Sequence, residues 1–528
     1  MPRPISSEEI AGGARLLWNL PSLLRHPLSL ADARASLGRR LEGREANFLS
    51  LLGSLYSNAA SPYRSLLRLA DCDYEDLQRL VTSEGVEGTL LSLYRHGVYL
   101  TVDELKGRRA VVRGSSTLDV HRDALRNLSR AARVPTQSSG SRGTRTAVAV
   151  DLAFIRDCAA NISLYLGARG GTGWQHALWS VPGSAVLARL LEYAASGAPP
   201  ARWFSQVDPG VSQLHPRYRW SARLLRWPSL LAKRPLPRPE HVALGDPLRI
   251  ARWMEDVLRS GGTPHLHTFV TPAVMLCKAA EDAGINLEGA RFTLTGEPLT
   301  SARLGAVRAV GGEAWPRYGA AECTMIAYGC LAPETPDDSH VFHDMYALVQ
   351  PGQDDARAGL SRHSLLVSSL SPHAPLMFLN VSLGDQGELK PMSCGCPLAR
   401  LGWGMHLKAI CSFEKLTVGG VNLLDIDVIN VLEEVLPERF GGGPTDYQLL
   451  EDESVDGQPR LRLLVHPALG PLDPETVADV FLAAIGRSSG AERVMELQWR
   501  QAGLLRVERT APRMTASGKI LHLHREHR

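Results

Sequence analysis

The sequence predicts an α/β protein in two parts, a large N-terminal unit on a mostly parallel sheet and a small α+β unit at the C-terminus. Three observations carry this. Residues 246–312 alternate helix-like and strand-like segments, the pattern of a parallel sheet with crossover helices. The first 130 residues repeat apolar side chains at spacings of three and four, the helical period. Beyond about residue 411 the rhythm changes to short strands around one helix.

Composition sets the outer bounds. A chain of 528 residues allows two to four domains at roughly 100–200 residues each. With 44% hydrophobic and 21% charged residues, a mostly disordered chain is excluded. A net charge of +3 leaves no electrostatic footprint for nucleic acid. Eight cysteines are too few for a disulfide scaffold in a chain this long. No run approaches the ~18 apolar residues of a membrane span, and Glu8 and Glu9 stand where a secretory signal needs an apolar stretch. A soluble cytoplasmic protein with no membrane partner is therefore expected.

Taken in order, residues 31–56 and 63–85 read as helices, and Asp103 as the cap of another short one. Pro135 ends that pattern, and the polar stretch 136–146 reads as a loop. Residues 147–167 begin as a strand and continue as a helix. The Pro- and Arg-rich stretch 196–245 reads as irregular surface or an insertion. There follow a helix at 247–260, a strand at 266–270, a helix at 271–284 closed by Gly284, a strand at 291–296, a helix at 299–312 and a turn into Trp315–Gly319. Strands are expected at 363–370, 375–381 and 387–392. In the tail, 419–437 reads as a turn and helix, 446–451, 460–467 and 504–510 as strands, and 474–487 as a helix. The unit boundary falls near 408–415, dividing the chain into 1–410 and 411–528. No internal repeat is present.

Five short segments carry chemistry. Ser138, Ser139, Gly140, Ser141, Arg142, Gly143 and Thr144 offer backbone N–H groups, hydroxyls and a guanidinium that can wrap polyphosphate oxygens. The spacing is not that of a P-loop. Gly296, Glu297 and Pro298 follow a strand, where ligands bind in open α/β sheets. In the segment Arg317–Glu322, Tyr318 can stack on a planar base, with Gly319 beside it, and Glu322 can hold Mg²⁺ through oxygen. Asp385 sits in a turn from which a carboxylate can accept from both ribose hydroxyls. Lys519 lies in a Thr/Ser/Gly loop near the C-terminus. Only 7 of the 58 cations are Lys, so a Lys kept in a motif stands out, because Arg cannot replace a compact ammonium at a tight site. Taken singly, each segment reads equally well as an ordinary loop, turn or terminus.

In this order the five segments resemble the signature series of the adenylate-forming superfamily, which includes acyl-CoA synthetases, peptide-synthetase adenylation domains and luciferases. The resemblance runs from about residue 110 to the C-terminus and looks closest to the phenylacetate–CoA ligase branch. Thr146 stands where that branch has Thr and other members have Lys. Cys394-Gly395-Cys396 and Gly420-Val421-Asn422 are also similar to it. The resemblance implies a large AMP-binding domain and a small mobile C-terminal domain. It implies that a carboxylic acid, aromatic in this branch, is activated with ATP and Mg²⁺ and passed to coenzyme A. Natural-product enzymes of the superfamily use a carrier-protein thiol or an amine instead, and a nucleotide-binding protein without catalysis is a further alternative. Members of the branch are often homodimers.

The implied roles follow residue by residue. Residues 138–144 hold the β- and γ-phosphates. Gly296, Glu297 and Pro298 line the adenine and Tyr318 stacks on it. Glu322 binds Mg²⁺, Asp385 the ribose, and Lys519 bridges the carboxylate and the α-phosphate. Trp174, His176 and Trp179 lie in a segment that approaches the acid pocket in this branch, although core packing explains them equally well. Three departures stand out. The hinge Arg is missing from Ile410–Glu414, Phe413 occupies the pivot unless Glu414 serves, and Ala321 replaces a Thr that Thr324 can stand in for. Cys394 and Cys396 with Cys411 and His406 gather soft ligands, but C-x-C departs from the C-x₂₋₄-C of structural zinc sites, which favours plain thiols.

Overall fold

Strand and helix alternate through the middle of the chain because short β-branched and apolar runs are separated by amphipathic helices, and this alternation builds the parallel half of a twelve-stranded sheet. The computed structural model describes residues 7–127, 133–137, 147–181, 183–208, 226–352, 360–412, 417–418, 421–422, 428–453, 459–486, 496, 499–500, 505–515 and 517–525. Two hairpins precede the main sheet, β1 (Val111–Arg113) with β2 (Ser116–Leu118) and β3 (Arg133–Gln137) with β4 (Ala147–Asp151). The main strands are β5 (Gln175–Ser180), β6 (Arg202–Ser205), β7 (Pro239–His241), β8 (Pro264–Phe269), β9 (Arg291–Thr295), β10 (Glu313–Tyr318), β11 (Ala327–Gly329), β12 (Ser339–Val341), β13 (Tyr346–Val349), β14 (Ser364–Ser369), β15 (Val381–Pro391) and β16 (Met405–Ser412). Their order is β13-β14-β15-β16-β12-β11-β10-β9-β8-β5-β6-β7. From β10 to β7 every pair is parallel, and from β10 to β13 every pair is antiparallel.

The parallel half has helices Leu248–Arg259, Val270–Asp282 and Ser301–Ala309 in its crossovers, close to expectation. Four expectations need correction. β6 and β7 pair within 196–245, so that stretch is partly sheet, in strands of only 4 and 3 residues. Thr136 and Gln137 belong to β3 rather than to a loop. Asp385 lies within β15 rather than in a turn. Residues 375–380 form no strand; their backbone bonds to Leu125, Tyr63 and the Ser368 and Ser369 hydroxyls instead of to a ladder, and Asn380 sits at φ +50°.

The N-terminal helices span Ser7–Arg25, Leu30–Glu42, Arg44–Ser57, Pro62–Leu69 and Tyr74–Arg95. Ser29 and Asp73 cap two of them reciprocally with Asp32 and Asp76. The short helix Val102–Leu105 is capped by Thr101 with Glu104, not by Asp103. Buried Arg40 pins this layer to the large core. Its guanidinium reaches Asp344 at 2.9 Å and Asn161 at 2.5 Å, and Trp403 donates to the same Asp344 at 2.8 Å. The large unit holds two apolar clusters, one on each side of the parallel strands.

The C-terminal unit has its own sheet, β21 (Leu505–Glu508), β20 (Pro459–Val465), β19 (Tyr447–Glu453) and β22 (Leu523–Arg525) in that order. Helix Pro474–Ile485 and the helical segment Val428–Phe440 pack on it around Leu449, Leu463 and Phe481. An intermediate ladder pairs β17 (Thr417–Val418) with β18 (Val421–Asn422). No helix among the described residues is long and apolar enough to cross a membrane.

Candidate active site

Parallel strands β8, β9 and β10 end in register at Phe269, Thr295 and Arg317. Neighbouring strands lie about 4.8 Å apart, so three carboxyl ends share one edge, where ligands bind in such sheets. The C-terminal unit delivers Lys519 to this edge. The Thr515–Lys519 loop is closed on itself by Gly518 N–H to Thr515 O (2.8 Å), Thr515 N–H to Lys519 O (2.9 Å) and Lys519 N–H to Thr515 Oγ1 (3.1 Å). Ile520 N–H then donates to Thr271 Oγ1 of the large unit at 3.2 Å. Lys519 Nζ stands 4.6 Å from the centroid of the Phe269 ring, within cation–π range. Gly296 makes the approach feasible. It holds φ +81°, and a Cβ there would lie 2.7 Å from Lys519 Nζ and 2.8 Å from the Phe269 ring.

Beside this lies a second pair. Tyr318 donates its hydroxyl to Asp385 Oδ2 at 3.0 Å, joining the end of β10 to β15. Burial and the Asp385 carboxylate both push the phenol well above its ordinary value, so it stays a donor. A turn after β10 carries Glu322, which is half-buried. Thr324 N–H bonds to Ala320 O at 2.7 Å and Thr324 adopts φ +57°. Gly319 is fixed by close approach, since a Cβ would stand 2.3 Å from the Thr324 carbonyl oxygen. Thr324 Oγ1 lies 3.5 Å from Cys158 Sγ.

A buried ionic network clamps the two units behind this edge. Arg303 is 1% exposed. Its Nε reaches Glu433 Oε1 at 2.7 Å, Nη1 reaches Glu297 Oε1 and Pro298 O at 3.4 Å each, and Nη2 reaches Ile520 O at 3.4 Å and His522 Nε2 at 3.2 Å. Thr300 and His522 also bond to Glu433. Burial would raise the Glu433 carboxyl, but Arg303 and His522 outweigh it and hold it at about 2. Arg303, Glu433 and His522 are absent from the sequence reading. No short motif contains them: Arg303 and Glu433 are single charged residues on separate helical segments, and His522 lies three residues beyond Lys519.

The Glu297 carboxylate is committed inward. It accepts Thr271 N–H at 3.0 Å and the Thr271 hydroxyl at 2.6 Å, besides pairing with Arg303, so the side chain is fully engaged. Residues Ser138–Thr144, Thr146, Phe413, Glu414, Gly419 and Gly420 lie outside the described residues. His176 and Trp179 are core groups. His176 Nδ1 contacts His265 Nδ1 at 2.9 Å, burial lowers His176 to about 4, and Trp179 donates to Val242 O at 3.1 Å. Trp174 lies against His265 and Trp315, with ring centroids 5.6 Å from each. Cys411 sits on β16 apart from Cys394 and Cys396, whose neighbours are Cys330, His340 and His406.

No protein-family model matches the chain, and no curated protein matches it. Solved structures do. A 2-hydroxyisobutyryl-CoA ligase, in its postadenylation state with 2-HIB-AMP, aligns over 95% of this chain and 91% of its own, with 14% identity and a TM-score of 0.55. An anthranilate CoA ligase in complex with anthranoyl-AMP aligns over 73% and 65%, with 11% identity and a TM-score of 0.45. An O-succinylbenzoate coenzyme A synthetase from Bacillus subtilis, in complex with ATP and magnesium ion, aligns over 74% and 68%, with 14% identity and a TM-score of 0.43. Of these three, the first speaks for the fold: a large N-terminal α/β domain followed by a small C-terminal α+β domain.

Proposed function

We propose that the chain is an ATP-dependent ligase that converts an aromatic carboxylic acid to an acyl-adenylate and transfers the acyl group to coenzyme A. The observation that carries this is Lys519, brought from the small unit to within contact of Gly296 and Phe269 at the carboxyl edge. Tyr318, at the end of the adjacent strand β10, is joined at 3.0 Å to Asp385 on β15.

The chemistry follows from charge. A carboxylate oxygen attacks the α-phosphorus of ATP, and the bond to pyrophosphate breaks. Both reactants are anions, and the transition state gathers charge on the α-phosphate oxygens. Lys519 holds a compact ammonium there, and fixed positive charge at developing oxyanions is the usual large contribution to such catalysis. The Tyr318 ring offers a face for adenine, and its bond to Asp385 orients a carboxylate oxygen toward the ribose hydroxyls. Magnesium, when bound, neutralises phosphate charge, and the hard carboxylate oxygens of Glu322 suit it. Residues 138–144 are assigned to the β- and γ-phosphates.

In the second half-reaction the thiol sulfur bonds to the acyl carbon, the bond to AMP breaks with its electron pair on AMP, and the thiol proton leaves to solvent. Lys519 then has no further task. We assign 1–410 and 411–528 as the two units, with rotation about 411–415 exchanging Lys519 for Gly419 and Gly420 beside the thiol.

A pyrophosphate-release screen tests this over aryl and aliphatic acids, with coenzyme A, with pantetheine-bearing carrier protein, with an amine and with no acceptor. Release that requires an aryl acid, with thioester formed only when coenzyme A is present, is the expected result. Release independent of any acid would refute adenylation, and product formed only with an amine or carrier would refute the coenzyme A assignment.

A further inference from the structure

The antiparallel half of the sheet gathers a second constellation that adenylation does not use. β11 pairs with β12 and β12 with β16, and the register sets His340 opposite His406, with ring centroids 4.1 Å apart. Cys330 follows directly on β11, where its N–H bonds to Asp338 O at 2.9 Å. The loop after β15 brings Cys394 and Cys396 onto the same spot. One atom from each of Cys330, His340, Cys394 and His406 lies within 4.8 Å of every other.

The two imidazoles are oriented from behind. His340 Nδ1 bonds to the Trp403 carbonyl at 2.6 Å, which puts its proton there and leaves Nε2 as a bare lone pair. That Nε2 points at sulfur, 3.1 Å from Cys396 Sγ and 3.6 Å from Cys394 Sγ. His406 Nδ1 bonds to the Asp338 carboxylate at 2.7 Å, and its Nε2 is buried without a hydrogen-bond partner. A buried polar nitrogen left bare is costly unless something in the cluster uses it. A carbonyl behind one imidazole and a carboxylate behind the other are the outer-shell partners that fix metal-binding histidines.

We propose that Cys330, His340, Cys394 and His406 hold a Zn²⁺ ion in a closed structural site. Soft thiolates with imidazoles, four in number, select zinc among the common divalent ions. With Zn–S about 2.3 Å and Zn–N about 2.0–2.1 Å, a thiolate and an imidazole on one tetrahedral ion stand roughly 3.5 Å apart. The 3.6 Å between Cys394 Sγ and His340 Nε2 matches that separation. The C-x-C spacing is no obstacle, because only one loop thiol ligates, while His340 and His406 come from strands and Cys330 from the position directly after β11. Cys396, which opens the turn of helix Pro397–Arg400, remains an outer partner. Bound there, the ion ties the 392–396 loop to the end of β11, to β12 and to β16, the strand from which the chain leaves for the C-terminal unit.

The test is metal analysis of the full-length protein purified without chelator. The expected content is about one zinc per chain, released by a mercurial thiol reagent. Replacement with cobalt should give the visible bands of a tetrahedral ion and a thiolate-to-cobalt charge-transfer band. Cys330→Ser and His406→Ala should lower the content about tenfold or more, while Cys411→Ser and Cys396→Ser keep it near the wild-type level. Wild-type protein with less than about a tenth of an equivalent of zinc and no cobalt bands would overturn the site, whatever the variants do. Loss of metal in Cys396→Ser with retention in Cys394→Ser would overturn the ligand set.

Discussion

Two buried arginine–glutamate pairs do opposite things in this molecule. Arg317 and Glu192, both 1% exposed, lie inside the large unit and meet at 3.2 Å. Arg303 and Glu433, equally buried, meet at 2.7 Å across the two units. The inner pair is incompletely satisfied. Arg317 Nε and Nη1 and Glu192 Oε1 have no hydrogen-bond partner, although Arg189 also reaches Glu192 and the Tyr328 ring lies under the guanidinium. The interface pair is saturated, with Glu297, Thr300, His522 and two carbonyls completing it. Desolvating a charge pair costs several kcal/mol per ion unless geometry and further bonds repay it. At the interface that repayment exists only while the units are docked. Under the proposed rotation, water would replace the partners on undocking and this pair would act as a reversible clasp, whereas the inner pair lies within one core.

Arg303→Met and Arg317→Met therefore break similar bonds with different readouts. Arg303→Met leaves Glu297 and Glu433 buried without their shared cation in the docked state, a loss of about 3–5 kcal/mol, or about 10²–10⁴-fold in adenylation. Each unit keeps its own core, so the melting temperature should hardly move. Arg317→Met should instead lower the melting temperature clearly, because Glu192 cannot reach water without opening the large unit. Equal drops in melting temperature for both variants would erase the distinction.

Glu433→Gln is milder, since Arg303 keeps Glu297. Adenylation should fall about tenfold, with proteolysis between the units accelerating in parallel. Tyr318→Phe removes one hydroxyl bond to Asp385 and leaves the ring, so KM for ATP should rise about fivefold while kcat changes little. A fall in kcat alone would place Tyr318 outside nucleotide binding.

Acidification separates the regions more gently. His176 is neutral in the folded unit, its value lowered by burial from 6.5 to about 4. The unfolded chain binds the extra proton in that window, so stability of the large unit should fall as pH drops from 6.5 toward 4. Glu433 is lowered from 4.5 to about 2, so its contribution to docking is complete above 4.5 and fades only below it. Denaturant titrations at stepped pH, with tryptophan fluorescence for the large core and inter-unit proteolysis for docking, should show the first loss before the second.

What could be read from the sequence was what lies contiguous in it. Thr295–Pro298, Arg317–Glu322 and Thr515–Lys519 are unbroken runs, because a strand end or a tight loop presents neighbouring residues to one place. The alternation of 247–312 was equally plain. Arg303, Glu433 and His522 were not, since each is a single polar residue separated from its partners by about the length of a domain. Nor were Cys330 and His340 linked to Cys394, because strand register brings them together and register is not written in spacing. β6 and β7 were hidden by brevity and by surrounding Pro and Arg. The apolar run 375–381 was read as a strand on propensity, but its backbone bonds to side chains and to an N-terminal segment.

The central claim is that the small unit, docked as described, supplies Lys519 for adenylation alone. Measuring both half-reactions of Lys519→Ala tests it most directly. Acyl-adenylate formation from ATP and acid should fall by about 10²–10³-fold or more, while thioester formation from supplied acyl-adenylate and coenzyme A stays near the wild-type rate. Adenylation at the wild-type rate, or an equal loss in both half-reactions, would contradict the account.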